Sequence, residues 1–147
     1  MLAIDANILL YAYVSAAPEN RAATVFLQSL QQLEAVAISE FTLAEFYLLL
    51  RNPAILQPAL TSEAATAVIQ AYRQHPLWKV LGFPPAGKSI HDQMWSFASN
   101  HQFARRRLYD VRVALCLRAF GVKEFATANV KDFKDLGFER VFNPLLS

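Results

Sequence analysis

The sequence predicts an α/β protein with a central parallel β-sheet between two layers of helices, a three-layer α/β/α sandwich. Short apolar runs alternate along the chain with longer segments of helical periodicity. The runs are continuously apolar, which is typical of strands that are buried on both faces of a parallel sheet. The 147 residues match the usual length of one domain, so we expect a single domain over residues 1–147.

The chain begins with a predicted buried strand at residues 2–4. Asn7 is expected to cap a helix that starts at Ile8. A second helix is expected to open at residues 17–19, because proline suits the first helical turn and an acid suits its positive end. The residues expected on its buried face are Ala22, Val25, Phe26, Ser29, Leu30 and Leu33.

The middle of the chain is predicted to continue with a buried strand at residues 36–38. The helix that follows is expected to end at Leu50, since Asn52-Pro53 disfavours its continuation. Another helix is predicted over residues 61–74, and residues 79–83 are a weaker candidate for a strand.

The last third is predicted to hold two helices and two strands. Ser89–Asp92 resembles a capping box and is expected to open the first helix. The second helix is expected to run from Asp110 to Gly121, a residue type that favours the position just past a helix end. Residues 123–127 and, more weakly, 140–143 are predicted strands.

The composition excludes several classes of protein. Hydrophobic residues make up 54% of the chain and charged residues 18%, the opposite of a disordered sequence. No run approaches the ~18 apolar residues of a membrane span, and the first residues lack the features of a secretion signal. The single cysteine, Cys116, falls in a helical apolar pattern and is expected to be a buried thiol. We therefore expect a cytoplasmic protein without a membrane anchor.

The charge is unevenly distributed along the chain. Residues 1–99 hold five basic and seven acidic side chains, whereas residues 100–147 hold nine basic and five acidic ones. Three of the basic side chains are consecutive: Arg105, Arg106 and Arg107. This basic segment indicates a polyanionic partner, and the alternative is a solvated surface loop.

Four polar residues fall where predicted elements meet the carboxyl edge of the sheet: Asp5, Glu45, Asp110 and Asn129. Each also has an ordinary structural explanation. Asp5 suits a loop acid bound to backbone, Glu45 a capping box with Thr42, Asp110 a helix N-cap, and Asn129 an Asx turn.

Taken together, the four positions favour a metal site. Clustered carboxylates repel one another unless a cation neutralises them. A set of ligands with oxygen donors and no cysteine suits Mg²⁺ or Mn²⁺. The three histidines have no metal-ligand spacing and are expected to be structural or exposed: His75, His91 and His101.

Four segments in order resemble PIN-domain ribonucleases, especially the VapC-type toxins of toxin–antitoxin pairs. They are Met1-Leu-Ala-Ile-Asp5-Ala-Asn7-Ile-Leu-Leu-Tyr11, Ser39-Glu-Phe-Thr-Leu-Ala-Glu45-Phe-Tyr, Tyr109-Asp110-Val-Arg-Val-Ala114 and Phe125-Ala-Thr127-Ala-Asn129-Val-Lys-Asp132-Phe133, with the ending Phe142-Asn143-Pro144. The resemblance implies a PIN fold and Mg²⁺-dependent endoribonuclease activity, with Mn²⁺ as a substitute. It also implies an RNA substrate, a cognate antitoxin in a hydrophobic groove, and a homodimer.

The resemblance also assigns roles by position. Asp5, Glu45 and Asp110 are implied metal ligands and, with Asn129, the catalytic residues. Many relatives carry an acid where this chain has Asn129, which leaves the number of metal ions open. Asp132 is assigned to the short helix of the closing segment.

Other implied roles concern positioning and RNA binding. Asn7 and Thr127 are expected to orient the site by hydrogen bonding. Arg105–Arg107 are expected to bind the flanking phosphates of the RNA. The implied reaction is hydrolysis of a phosphodiester by a metal-activated water.

Three alternatives differ in their chemistry. A haloacid-dehalogenase-like phosphatase needs a general acid two residues after the first-strand Asp, where this chain has Asn7. A receiver-like signalling domain needs a paired acid and a late lysine, and neither is evident. A degenerate PIN domain that binds RNA without cleaving it is favoured by Asn129 and disfavoured by the three retained acids.

Overall fold

The computed structural model describes residues 1–146, so only residue 147 of the predicted domain lies outside the described part of the chain. The strands are β1 Leu2–Ile4, β2 Val36–Ser39, β3 Lys79–Leu81, β4 Glu124–Ala126 and β5 Arg140–Phe142. The helices are α1 Ala6–Tyr13, α2 Asn20–Ser29, α3 Glu40–Leu50, α4 Ser62–Arg73, α5 Gly87–Ala98, α6 Leu108–Ala119 and α7 Val130–Phe133. A short 3₁₀ helix, Arg105–Arg107, precedes α6.

All five strands are parallel and lie in the order β3-β2-β1-β4-β5. Leu2 of β1 is paired with Val36 of β2 on one side and with Glu124 of β4 on the other. The chain therefore builds one half of the sheet outward from β1, then returns to build the other half from β4. The point where the strand order reverses, between β1 and β4, is where open α/β sheets bind their ligands.

Side chains from successive strand residues pack into two separate cores, one on each face of the sheet. Ile4 and Ile38 belong to the core that holds Phe46 and residues of α1–α4. Ala3 and Phe125 belong to the core formed with α5, α6 and α7. This arrangement confirms the predicted three-layer α/β/α sandwich with a parallel sheet, and explains why the strands are apolar on both faces.

Three helices begin earlier than predicted, because each opening turn follows its preceding element without a loop. α1 starts at Ala6, so Asp5, not Asn7, is its N-cap. α3 starts at Glu40, where the Ser39 hydroxyl at the end of β2 accepts a hydrogen bond from the Phe41 amide at 3.1 Å. The predicted Thr42–Glu45 capping box is therefore wrong. α6 starts at Leu108, so Asp110 lies in its first turn and is not an N-cap.

The predictions for α2 and α5 also need correction. α2 begins at Asn20, and it buries Ala23 and Leu27 while Val25 is 57% exposed. Two adjacent stripes of this helix are apolar, and periodicity alone does not tell which one faces the sheet. α5 begins at Gly87, so Ser89–Asp92 lies inside the helix instead of opening it.

Other predicted features are confirmed. The helix predicted over residues 61–74 is α4, Ser62–Arg73, and its N-cap is Thr61, which accepts a hydrogen bond from the Ala64 amide at 3.2 Å. Gly121 follows α6 with φ +86°, a left-handed conformation that favours glycine. Cys116 is a buried free thiol. Across residues 1–146, no helix combines the length and apolar character that crossing a membrane requires.

The histidines have local structural roles or are exposed, as expected. His75 accepts hydrogen bonds from the amides of Leu77 and Trp78 at 3.1 Å and stacks on the Trp78 ring. His91 Nδ1 lies 2.7 Å from the Gly87 carbonyl oxygen, to which it donates one turn back along α5. His101 is exposed.

Candidate active site at the switch point of the sheet

Asp5 lies directly after β1 at the switch point and is only 7% exposed. Its Oδ1 accepts a hydrogen bond from the Ala6 amide at 2.7 Å, which caps α1. Its Oδ2 accepts from the Thr127 hydroxyl at 2.7 Å and from the Asn7 side-chain amide at 3.3 Å. Burial raises the pKa of Asp5, while the bonds from Thr127 and Ala6 oppose that rise. The carboxylate is therefore held in one orientation by the backbone and two side chains.

Thr127 and Asn7 connect the start of α1 to the loop after β4. The Thr127 hydroxyl accepts from the Asn129 backbone amide at 2.9 Å, and Asn7 Oδ1 accepts from the Ala128 amide at 3.2 Å. Asn7 Nδ2 also lies 3.4 Å from the Thr127 hydroxyl. Thr127 has no exposed surface, so this network fixes the loop beside Asp5.

Asn129 joins this network only through its backbone amide. Its side chain is exposed and does not cap α7. The turn is made by the Thr127 hydroxyl, so the Asx-turn explanation of Asn129 is wrong. A catalytic role for the Asn129 side chain stays a prediction.

Glu45 of α3 and Asp110 of α6 line a shared cleft of about 450 Å³, together with Arg106. Partial burial, followed by repulsion from Asp5 and Asp110, raises the pKa of Glu45 from 4.5 to about 7. Partial burial, followed by repulsion from Asp5 and Asp132, raises the pKa of Asp110 from 3.8 to about 6, although Arg107 and Arg106 lower it. The negative charges of the three predicted acids therefore act on one another.

Asp132 was not among the predicted site residues, yet its charge acts on Asp110. It lies in α7, the short helix of the closing segment to which the resemblance assigns it. The signal that points to it is its place three residues after Asn129, in the first turn of a helix that follows β4. The fourth acid near the site is thus Asp132, while Asn129 brings no charge.

The arginine triplet divides into different environments. Arg107 donates to the Asp132 carbonyl at 2.6 Å and to the Asp135 carboxylate at 2.8 Å, so it ties the 3₁₀ helix to α7. Arg105 and Arg106 are exposed. The structure therefore shows an internal role for Arg107 that the sequence did not predict.

The donor chemistry of the acidic cluster fits a divalent cation. The clustered donors are carboxylates, and burial, followed by repulsion from neighbouring acids, raises the pKa values of Glu45 and Asp110. In the conformation of residues 1–146, no three acidic, histidine or cysteine side chains form a group that could hold one ion. The fit therefore depends on donor type and charge, and not on a preformed coordination sphere.

Without divalent metal, the protein is expected to become more stable as the pH falls from about 8 to about 5. The folded-state pKa values of Glu45 and Asp110, about 7 and about 6, lie above their ordinary values of 4.5 and 3.8. The folded chain then binds more protons than the unfolded chain in this interval, so the free energy of unfolding falls as the pH rises.

Thermal melting in EDTA at a series of pH values measures this effect. The double variant Glu45→Gln, Asp110→Asn should show a flatter pH dependence than the wild type, and Mg²⁺ should flatten the wild-type dependence. Equal slopes for the wild type and the double variant would show that neither burial nor repulsion raises the pKa of these acids in the folded state.

Sequence comparison identifies the family. The chain is 43% identical over 147 residues to Ribonuclease VapC24 of Mycobacterium tuberculosis, in strains CDC 1551 and H37Rv. The match covers 100% of this chain and 99% of the relative. The chain belongs to the VapC ribonuclease family. No family model matches the sequence.

Solved structures of VapC20, VapBC2 and FitAB share this fold. Mycobacterium tuberculosis VapC20, described as a Sarcin-Ricin loop cleaving toxin, aligns with a TM-score of 0.68 at 18% identity, over 94% of this chain and 96% of its own. VapBC2 from Rickettsia felis, bound to a DNA fragment from its promoter, aligns with a TM-score of 0.65 at 16% identity, over 97% of each chain. FitAB bound to the IR36 DNA fragment aligns with a TM-score of 0.68 at 25% identity, over 100% of this chain and 97% of its own. The predicted PIN-like architecture is confirmed.

Proposed function

We propose that this VapC-family protein is a Mg²⁺-dependent endoribonuclease and the toxin of a type II toxin–antitoxin pair. The observation that carries the proposal is the acidic cluster at the switch point, where Asp5, Glu45 and Asp110 act on one another's charge. The 43% identity to a protein named Ribonuclease VapC24 supports RNA as the substrate.

The three acids would hold the metal ion, with Mn²⁺ as a substitute for Mg²⁺. When bound, Mg²⁺ supplies an activated water and neutralises charge on the phosphate. The chain's own groups position these acids: Thr127 and Asn7 fix Asp5 by hydrogen bonds to its Oδ2. Asn129 remains a candidate catalytic residue whose amide oxygen brings no negative charge.

Incubation of the purified protein with bacterial total RNA tests the proposal. We expect cleavage at one or a few sites with Mg²⁺ or Mn²⁺ and none with EDTA, read by mapping of the new RNA ends. Cleavage that persists in EDTA would contradict metal dependence. RNA binding without cleavage would instead support the degenerate PIN domain, the alternative that the uncharged Asn129 favours.

An antitoxin partner is part of the proposal. The solved structures of FitAB and VapBC2 were determined bound to DNA fragments. In this chain, an apolar groove of about 470 Å³ lies between α3 and α4, lined by Leu43, Tyr47, Leu48 and Ile69. We propose that a helix of the antitoxin binds an apolar groove of this kind. We also propose that the protein is cytoplasmic and forms a homodimer. Co-expression with the neighbouring small reading frame should suppress toxicity, and light scattering measures the oligomeric state.

The arginine triplet is expected to separate into RNA-binding and structural members. Replacing Arg105 and Arg106 with Ala should weaken RNA binding and lower the slope of log K against log salt by about 0.7 per lost phosphate contact. Arg107→Ala should instead lower the free energy of unfolding by about 1–3 kcal/mol, because it removes the donor to the Asp132 carbonyl and to Asp135.

RNA titrations at several salt concentrations and chemical denaturation measure the two effects. An Arg107→Ala protein of wild-type stability would contradict the structural role. An unchanged salt slope in the Arg105, Arg106 double variant would show that these side chains do not contact RNA.

A further inference from the structure

Arg112, one of the residues lining the cleft, has no protein counterion. It lies in α6 two residues after Asp110, and its guanidinium carbon is 5.2 Å from the centre of the Phe41 ring and 4.9 Å from that of Tyr109. Its Nε is buried without a hydrogen-bond partner among residues 1–146. None of the salt bridges in that part of the chain includes it. The two aromatic rings therefore fix the position of a cation whose hydrogen-bonding capacity the protein leaves unused.

The other arginines near the cleft are engaged differently. Arg106 and Arg107 are the cations that lower the pKa of Asp110. Arg107 is also bonded to the Asp132 carbonyl and to Asp135. The charge of Arg112 lowers the pKa of the Cys116 thiol, which burial raises, but it is paired with no carboxylate among residues 1–146 and is available to an anion that enters the cleft. Arg107 Nε also lacks a hydrogen-bond partner, but Arg107 is paired with Asp135 and does not line the cleft. Arg112 lines the cleft and has no ion pair among residues 1–146, which points to a ligand.

Tyr109 presents an exposed aromatic surface beside the same cleft. It is 67% exposed and directly precedes Asp110. Phe41, which also lines the cleft, is in edge-to-face contact with Phe83 at 5.3 Å, and Phe83 is 85% exposed. Exposed aromatic rings next to a cation are the combination with which proteins bind unpaired nucleotides, through base stacking and phosphate contacts.

We propose that Tyr109 and Arg112 form a nucleotide subsite beside the acidic cluster. The Tyr109 ring stacks on one unpaired base of the RNA, and the Arg112 guanidinium binds a phosphate of the same strand. The subsite rests on the proposed ribonuclease function and adds a requirement to it. A base inside a duplex is not free to stack on Tyr109, so the segment next to the cleavage site must be single-stranded.

RNA binding measured in EDTA tests the subsite without cleavage. The probes are an unstructured RNA of about 10 nucleotides, its duplex, and an oligomer of the same length without bases. Tyr109→Leu should raise the Kd for the single-stranded RNA about tenfold and remove the preference over the oligomer without bases. Tyr109→Phe should keep the wild-type Kd for the single-stranded RNA and the preference over the oligomer without bases. Arg112→Gln should raise the Kd for both single strands and lower the salt slope by about 0.7.

Arg118→Gln is the matched control, because Arg118 is exposed on the same helix and does not line the cleft. Melting curves show whether each variant is folded, and Arg112→Lys keeps the charge if Arg112→Gln does not fold.

A wild type that cleaves RNA, with Tyr109→Leu and Arg112→Gln binding like the control, would overturn the subsite alone. A wild type that neither binds nor cleaves RNA would overturn the proposed function as well. Loss of antitoxin binding with unchanged RNA affinity would assign this surface to the antitoxin and overturn the subsite.

Discussion

Replacing Asp110 with Asn is expected to reduce RNA cleavage by a factor on the order of 1,000, because several kcal/mol of charge stabilisation is lost with one carboxylate. Asp110 repels Glu45 and Asp5 in the metal-free protein, so it contributes to the negative charge that attracts a divalent ion. Asn has nearly the same volume and keeps one oxygen ligand without the charge. Mg²⁺ affinity, measured by calorimetric titration, should fall together with the cleavage rate.

The stability of the Asp110→Asn protein separates this role from a structural one. Asp110 is in the first turn of α6 and is not its N-cap, so no capping bond is lost. The substitution removes a favourable interaction with the helix dipole, about 0.3–1 kcal/mol, but it also relieves repulsion from Asp5 and Asp132. We expect the metal-free variant to melt at or above the wild-type temperature.

Glu63→Gln provides the matched control, because Glu63 is an acid in the first turn of α4 and is exposed. It should lose a similar helix-dipole interaction without affecting cleavage or Mg²⁺ binding. Normal cleavage by Asp110→Asn would show that the assignment of Asp110 is wrong. Loss of cleavage in Glu63→Gln would show that losing a helix-dipole interaction is enough to stop cleavage, so the effect at Asp110 would no longer indicate a metal ligand.

The strands were predictable because their signal is local. Residues 2–4 are apolar and form β1 with the predicted bounds, and the other strands fall within their predicted ranges to a residue or two. The helix starts were harder, because Asp5 and Ser39 end one element and cap the next. The Thr42–Glu45 pattern matches a capping box inside a continuous helix, so the local pattern alone misplaced the boundary.

The position of Asp5 at the carboxyl edge of the sheet was predictable from topology, since Asp5 directly follows β1. Glu45 lies in the interior of α3, and α6, which holds Asp110, follows a 3₁₀ helix and no strand, so topology alone does not place these two acids. Asp132, Arg107 and Arg112 were not predictable in the same way. Their environments depend on side-chain contacts between distant residues, such as the bond from Arg107 to the Asp132 carbonyl across 25 positions. Hydrophobic periodicity carries no information about such contacts.

Replacing Asp5 should separate two roles that the structure assigns to one carboxylate. Oδ1 caps α1 by accepting from the Ala6 amide, and the charge belongs to the acidic cluster. Asn can cap a helix about as well as Asp, whereas Ala cannot. Asp5→Asn and Asp5→Ala should therefore both reduce cleavage to background, while only Asp5→Ala loses the capping bond.

The lost cap alone should make Asp5→Ala less stable than Asp5→Asn by about 1 kcal/mol in the free energy of unfolding, or about 2–4 °C in Tm for a chain of this length. Asp5→Ala also removes the acceptor of the buried Thr127 hydroxyl, which adds to this difference. Burial raises the pKa of Asp5, so its charged form is costly in the fold, and removal of the charge should stabilise both variants relative to metal-free wild type near pH 8. The difference in the free energy of unfolding between Asp5→Asn and Asp5→Ala does not depend on this stabilisation, because both variants lack the charge. Melting in EDTA measures it directly.

Thr61 is the control for the cap alone. It accepts from the Ala64 amide at the start of α4, and its substitution to Ala should cost a similar 1 kcal/mol or so while cleavage stays at the wild-type rate. Wild-type cleavage by Asp5→Asn would exclude Asp5 as a metal ligand, since its geometry is kept and only its charge is gone. Identical melting of Asp5→Asn and Asp5→Ala would exclude the capping role, because both variants lack the charge and only Asp5→Ala lacks an oxygen that can accept from the Ala6 amide.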